Sequence, residues 1–97
     1  MIVSFGDKAT EDIFEEEKTK QSLKILPIQL HQIARRKLDA LDTAQELKQL
    51  RVPAGNRLEL LKGDKSGFHS IRINNQYRIV FKWKDQNAFD VRICDYH

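Results

Sequence analysis

The sequence predicts one α+β domain over residues 1–97, with N-terminal helices packed on one face of a mainly antiparallel sheet of four or five strands. Three observations support this prediction. The chain has 97 residues, of which 40% are hydrophobic, and this is enough for one small core. Apolar residues in the first half recur at helical spacing, whereas those after Arg51 alternate with polar residues, as in strands. Helices and strands separated along the chain in this way are typical of α+β folds.

The first half of the chain predicts a short strand and two helices. Residues 2–5 are mostly apolar and indicate the strand, and Asp7 is a typical N-cap for the helix that follows. The polar residues 18–21 are expected to end that helix. Pro27 suits the first position of a second helix, because apolar residues then follow at helical spacing as far as Leu41.

The pattern changes after the second helix. The Thr43-x-x-Glu46 spacing predicts a capping box that begins a short helical turn. Pro53, Gly55 and Asn56 then predict a loop, and period-two alternation starts beyond it.

The second half predicts an antiparallel meander. Strands are expected over residues 57–61, 68–73 and 77–84, and Phe89, Val91 and Ile93 continue the alternation on one face of a last strand. If the apolar face of the third of these strands packs on the helices, its cationic side chains point away from them. The apolar face consists of Tyr77, Ile79, Phe81 and Trp83, and the other face of Arg78, Val80, Lys82 and Lys84.

The positive charge is concentrated in the second half. The chain has 17 Lys and Arg and 14 Asp and Glu, for a net charge of +3 with neutral histidines. Residues 1–50 hold eight basic and nine acidic side chains, whereas residues 51–97 hold nine and five. A positive sheet region favours a polyanionic partner such as a nucleic acid.

Composition excludes several other classes of protein. The single cysteine, Cys94, cannot form an internal disulfide, and no Cys/His cluster has zinc-ligand spacing. The longest apolar runs have two to three residues, far fewer than the roughly 20 that span a membrane. The N-terminus lacks the features of a secretory signal, so a cytoplasmic location is expected. Neither a Gly-rich phosphate loop nor a GxSxG motif is present.

The side chains of the second half suit cleavage of RNA by its own 2′-hydroxyl group. That reaction needs a base, an acid and cations that offset the charge growing on the phosphorane. It needs no metal ion, and no carboxylate cluster that would hold one is evident. The candidate residues are Lys62, Lys65, His69, Arg72, Arg78, Tyr96 and His97.

Each candidate also has a structural interpretation. Surface lysines such as Lys65 and Lys82 are often only solvated charges. His69 alternates with Phe68, so one of the two faces the core, and a structural histidine is an alternative. His97 is a terminal residue, and terminal residues often fray.

In combination, three motifs resemble the HigB toxins, which belong to the RelE-like superfamily of bacterial toxin–antitoxin systems. The motifs are GNRLELLKGD over residues 55–64, GFHSIRINNQYRIVF over residues 67–81, and the final Asp95-Tyr96-His97. The resemblance also includes residues 1–5 and 38–47, so it covers nearly the whole chain.

This resemblance implies a compact microbial-RNase-like fold and a ribosome-dependent mRNA endonuclease. Such toxins cut messenger RNA in the ribosomal A site and arrest translation. The implied partners are a HigA-like helix-turn-helix antitoxin, the bacterial ribosome and mRNA. Operator DNA would be contacted only through the antitoxin, and neither a cofactor nor a membrane is implied.

The resemblance also implies roles for individual residues. His97 and Tyr96 are candidates for proton transfer, and Asp95 would orient them or contact RNA. Arg78 would hold the scissile phosphate, with Lys62 in a basic loop near it. RNA contacts are expected from Arg57, Glu59, Lys65, His69, Arg72 and Lys82.

The sequence departs from its relatives at two positions. Glu59 stands where some HigB toxins have a catalytic histidine, and Asn74 where some relatives have an arginine. A glutamate can act as a base, but it cannot offer the cationic hydrogen bond of an imidazolium. His69 would be a spatial substitute for that imidazole if it faced the open side of the sheet.

Two other classes of function are compatible with the residues. One is a basic RNA- or ribosome-binding module that blocks translation by occupancy alone, and the other is a transcriptional co-repressor bound to an antitoxin. New, positioned 5′ ends in ribosome-bound message would distinguish cleavage from occupancy. A protein that is inert alone but alters operator binding by its partner would indicate the co-repressor.

Overall fold

The computed structural model describes residues 1–95 and confirms the α+β fold. Tyr96 and His97 lie outside the described residues. The helices are α1 (Lys8–Phe14), α2 (Lys20–Ile25) and α3 (His31–Thr43). Four strands in this part of the chain, β1 (Glu59–Leu60), β2 (Phe68–Arg72), β3 (Tyr77–Lys84) and β4 (Asn87–Asp95), form an antiparallel sheet in the order β1-β2-β3-β4. Short 3-10 turns cover Ile28–Leu30, Leu47–Arg51, Ala54–Asn56 and Gly63–Lys65.

The core lies between the helices and one face of the sheet. Helical spacing places the apolar side chains of α3 on its buried side, and period-two spacing does the same for β2, β3 and β4. Full burial of each such side chain stabilises the fold by about 1.5–3 kcal/mol. The buried residues include Ile13, Ala34, Leu38, Leu41, Ile71, Ile79, Phe81, Val91 and Ile93.

The N-terminal segment lies beside β4, where it makes isolated bridges rather than the predicted regular strand. Ile2 pairs with Ala88 and Phe5 with Val91, both in parallel orientation. The backbone N–H of Ile2 also donates to the Asp42 carboxylate at 2.8 Å, which ties the segment to α3.

The predicted start of α1 is confirmed, and α1 does end before residues 18–21, at Phe14, but the break is shorter than predicted because Lys20 and Gln21 already belong to α2. The Asp7 carboxylate accepts from the Thr10 N–H at 2.7 Å, as an N-cap does. The polar residues that follow α1 begin a new helix, α2, because Thr19 and Ser22 cap it reciprocally. Pro27 precedes the 3-10 turn Ile28–Leu30, and α3 starts only after that turn.

The predicted capping box at Thr43 is also wrong. The Thr43 hydroxyl donates back to the carbonyl of Asp39 at 3.1 Å, so it belongs to the last turn of α3. The reciprocal pair forms three residues later, between Glu46 and Gln49, and begins the 3-10 turn Leu47–Arg51.

The strand boundaries agree with the prediction within a few residues, but β4 contains a bulge. Val80 pairs with Arg92, whereas Lys82 pairs with Phe89, and Asp90 adopts a left-handed φ of 53°. The additional residue reverses the alternation at that point. Phe89 therefore lies on the face of Lys82, and the predicted common face of Phe89, Val91 and Ile93 is wrong for Phe89.

No helix within residues 1–95 combines the length and the apolar character that crossing a bilayer would require.

Candidate functional site

The face of the sheet turned away from the helices, which we call the open face, carries most of the predicted site. Cross-strand partners share a face, so the register divides the open face into rows. The row at the β2–β3 turn end holds Arg72, Arg78 and Cys94. The next row holds Glu59, Ser70, Val80 and Arg92, and the one beyond it Phe68, Lys82 and Phe89.

Arg78 occupies the centre of this site, with its guanidinium group held by neighbouring groups. Its Nε donates to the Ser70 hydroxyl at 2.7 Å, and its Nη2 donates to the Arg57 carbonyl at 2.6 Å. Its Nη1 lies 3.9 Å from the Glu59 carboxylate. Arg78 is only 8% exposed, so these contacts fix its orientation before any ligand binds.

The loop that supplies the Arg57 carbonyl is anchored to α3. Arg57 adopts a left-handed φ of 47° after the 3-10 turn Ala54–Asn56. The buried Asn56 amide donates to the carbonyls of Leu50 at 3.1 Å and Val52 at 3.3 Å, and its oxygen accepts from the Lys37 ammonium group. Burial lowers the pKa of Lys37. The position of the Arg57 carbonyl therefore depends on contacts that reach into the first half of the chain.

A cavity of about 200 Å³ lies at the β2–β3 turn end of the open face, lined by Arg57, Arg72, Asn74, Asn75 and Arg78. The Asn74 side chain accepts from the two backbone N–H groups that close the turn, at 2.9 and 2.8 Å, and Arg72 donates to Asn75. None of the five lining residues is acidic. Because three guanidinium groups repel one another, this cavity favours an anion, and guanidinium pairs match phosphate oxygens well.

The end of β4 lies next to this cavity. Cys94 is the cross-strand partner of Arg78, and Asp95 is the partner of Tyr77. The Asp95 carboxylate accepts from the Gln76 amide at 3.1 Å. Asp95 therefore directly follows the Arg78 row, but strand alternation places its side chain on the face of Tyr77 and not on the open face. Tyr96 and His97 lie outside the described residues, so their roles in proton transfer stay predictions.

The three lysines of the predicted site, Lys62 near the scissile phosphate and Lys65 and Lys82 as RNA contacts, occupy different positions. The Lys65 ammonium lies 3.9 Å from the Cys94 sulfur, directly beside the Arg78 row. Lys62 is exposed, just before the turn Gly63–Lys65. Lys82 lies two rows away from Arg78, where its ammonium is 5.0 Å from the centre of the Phe68 ring and 3.7 Å from the Asp90 carboxylate.

His69 does not lie on the open face, and the prediction that it replaces a missing imidazole there is wrong. It is the cross-strand partner of the buried Phe81 and stacks on that ring with centroids 5.9 Å apart. Strand alternation gives the open-face position to Phe68 instead. Burial lowers the pKa of His69, which favours a neutral imidazole.

The other described histidine is also structural. His31 is buried, and its Nε2 lies 2.8 Å from the Leu26 carbonyl oxygen. Within residues 1–95, no group of three or more His, Cys, Asp or Glu side chains lies close enough to hold a metal ion.

Ser70 and Arg92 are polar residues of the open face that were not among the predicted site residues. Ser70 is fully buried and contacts Arg78. Arg92 packs against Gly6, where a Cβ atom would lie 2.5 Å from the Arg92 Nε, so a larger residue at position 6 would displace the guanidinium. Arg92 alternates with the apolar Val91, and this pattern could have placed Arg92 on the open face. Nothing in the sequence singles out Ser70.

Comparison with known proteins gives a consistent result. The family of RelE-like toxins of the type II toxin–antitoxin system HigB matches residues 3–97. Toxin HigB-1 of Vibrio cholerae is 41% identical over 90 residues, which cover 93% of this chain and 92% of the relative. Endoribonuclease HigB of Proteus vulgaris is 33% identical over 97 residues, the full length of both proteins.

A solved structure shares the fold. A chain of the YoeB–YefM complex from Staphylococcus aureus superposes with a TM-score of 0.60, covering 100% of this chain and 98% of that chain. The sequence identity is 16%, so this likeness concerns the fold alone.

Proposed function

Because this chain belongs to the HigB-like family of RelE-like endoribonuclease toxins of type II toxin–antitoxin systems, we propose that it arrests translation by cutting messenger RNA in the A site of the ribosome. The 2′-hydroxyl group would lose its proton to a base and attack the adjacent scissile phosphate, and the bond to the 5′-oxygen of the next nucleotide would break as an acid protonates that oxygen. The open face would bind that phosphate. Family membership alone specifies neither the ribosome, nor the message, nor the residues that act on the RNA.

The observation that carries this proposal is the fixed guanidinium of Arg78 beside a cavity lined by Arg57 and Arg72. Negative charge grows on the phosphate oxygens as the 2′-oxygen attacks. Cationic donors that are already oriented stabilise such charge without reorganising during the reaction. Arg78 would therefore hold the scissile phosphate, and Arg57 and Arg72 would neutralise it and the neighbouring backbone.

Proton transfer would come from Glu59 and from the last two residues of the sequence. The Glu59 carboxylate, 3.9 Å from the Arg78 guanidinium, is a candidate base for the 2′-hydroxyl. We assign proton transfer also to Tyr96 and His97, and the support of the reacting groups to Asp95 and Lys62, on the strength of the family resemblance.

The described part of the site explains why the ribosome would be needed. Both histidines within residues 1–95 are engaged in the interior, so this part of the open face offers cations and a carboxylate but no imidazole. A catalyst with few groups that titrate near neutral pH gains most from orientation of its substrate. A ribosome that holds the codon in a reactive geometry would supply that orientation.

A protein antitoxin is the partner of a type II toxin, and we propose that here it is of the HigA-like helix-turn-helix kind. The toxin would then reach operator DNA only through this antitoxin. Action on ribosomes would place the protein in the cytoplasm.

The test uses ribosomes stalled on a defined message, incubated with purified protein, and primer extension to locate new 5′ ends. Arg78→Lys keeps the charge but loses the planar fork of donors. We expect it to cut roughly 100- to 1,000-fold more slowly, as when one preoriented donor is removed from an active site. Arg36→Lys makes the same change on the exposed side of α3 and should cut at the wild-type rate.

Two outcomes would contradict the proposal. Wild-type cleavage by Arg78→Lys, with its fold confirmed by circular dichroism, would mean that Arg78 does not hold the phosphate. Inhibition of translation with an intact message would instead indicate binding by occupancy.

A further inference from the structure

A second cavity lies on the open face, next to the Arg78 row. It has a volume of about 180 Å³ and is lined by Lys65, Phe68, Val80 and Arg92. Val80 follows Arg78 by two positions on β3, so the two residues share a face about 7 Å apart along the strand. The cavity is therefore within one nucleotide of the position proposed for the scissile phosphate.

The lining of this cavity combines an aromatic ring and an aliphatic side chain with two cations. Phe68 is half-buried, and the Lys82 ammonium lies 5.0 Å from the centre of its ring, which helps to hold the ring in place. No carboxylate lines the cavity. A nucleotide has the complementary character, because its base is flat and stacks on aromatic rings while its phosphate is anionic.

Lys65 connects this cavity to the Arg78 row. It belongs to the turn that precedes β2, yet its ammonium lies 3.9 Å from the sulfur of Cys94, the cross-strand partner of Arg78. Its charge is thus at the boundary between the two cavities. A phosphate bound by Arg78 and Lys65 would leave the attached nucleotide facing Val80 and Phe68.

We propose that this cavity is a nucleobase subsite, in which Phe68 stacks on the base of a nucleotide adjacent to the scissile phosphate. The inference rests on the proposed function, because it assumes that the RNA backbone runs past Arg78. It adds a contact to a base, whereas the site described above binds only phosphate and moves protons.

The experiment measures the binding of a fluorescent single-stranded hexaribonucleotide by anisotropy at low ionic strength. Methylation of every 2′-oxygen prevents cleavage, and a set of variants lacks one base at a time while keeping all phosphates. For wild-type protein, loss of the base at one position should weaken binding by about 5- to 150-fold, the range for loss of one stacked base.

Phe68→Leu retains an apolar side chain without the ring. It should weaken binding of the intact RNA by the same factor and should then be insensitive to removal of that base. Phe68→Trp retains an aromatic ring and should behave like the wild type. Phe89→Leu is the matched control, because Phe89 lies on the same face beside Lys82 but does not line the cavity.

Equal loss of RNA binding by Phe68→Leu and the wild type when a base is removed would overturn the subsite. Binding that depends on no single base, or no binding of the oligonucleotide by the wild type, would also overturn it. Cleavage by Arg78→Lys on ribosomes is a separate measurement. Failure here with normal ribosome-dependent cleavage would therefore remove the base subsite and leave the proposed function intact.

Discussion

Replacing Ser70 by alanine is the most direct test of how Arg78 is held. The Ser70 hydroxyl is fully buried and accepts from the Arg78 Nε at 2.7 Å. The substitution removes one oxygen atom but keeps the guanidinium group. The buried Nε–H of Arg78 then lacks its acceptor, and this loss lowers the free energy of unfolding.

The expected magnitude follows from this one contact. A hydrogen bond to a charged group contributes about 1.5–3 kcal/mol, so Ser70→Ala should lower the free energy of unfolding by about 2 kcal/mol. For a domain of this size each kcal/mol shifts the melting temperature by about 4–8 °C. We therefore expect a decrease of about 8–16 °C, together with slower RNA cleavage because the guanidinium is less well oriented.

Urea unfolding of a double-mutant cycle isolates the pair. Ser70→Ala, Arg78→Met and the double variant are compared with the wild type, and Ser66→Ala in the exposed loop serves as the control. The coupling energy should be about 1.5–3 kcal/mol. A coupling energy within the additivity error of about 0.5 kcal/mol would refute the view that Ser70 holds Arg78.

Two further variants test the frame around the site. The pKa of Asp12 is lowered mainly because the Thr19 hydroxyl donates to its carboxylate at 2.7 Å. The resulting stabilisation is present above the unfolded-state pKa of about 3.9 and is lost as the pH falls through the lower folded-state value. Asp12→Asn should therefore be less stable at neutral pH and lose less stability in acid, and parallel pH profiles in urea unfolding would contradict this assignment. Asn56→Ala removes the amide that donates to two carbonyl oxygens and accepts from Lys37, and it should lower the free energy of unfolding by about 2–4 kcal/mol. The exposed Asn75→Ala should change it little, and equal effects of the two would show that the Asn56 contacts carry no stability.

The sequence was sufficient to predict the helical first half, the antiparallel second half and the face of Arg78. The prediction for β3 succeeded because one of its faces is wholly apolar, from Tyr77 to Trp83, whereas the other carries three cations and Val80. The face of β2 was harder to predict, because Phe68 and Ile71 are both apolar and lie at positions of opposite parity. Only the pairing of His69 with Phe81 settles which side the histidine occupies.

Other features depend on contacts between distant parts of the chain. The bulge at Asp90 involves a left-handed backbone that the sequence pattern does not reveal. Arg57 was predicted to begin a strand, but it ends the preceding 3-10 turn, and its carbonyl contact with Arg78 joins residues 21 positions apart. Short-range patterns carry no information about such contacts.

The docking of residues 1–5 along β4 has a consequence for the order of folding. Ser4 accepts from the backbone N–H of Asp90, and Thr10 accepts from that of Ile93, so these contacts join residues more than 80 positions apart. Contacts of such long sequence separation form slowly. On a translating ribosome the segment that carries Ser4 must therefore wait for its partners until β4 has emerged, and the cation-rich face is completed only then.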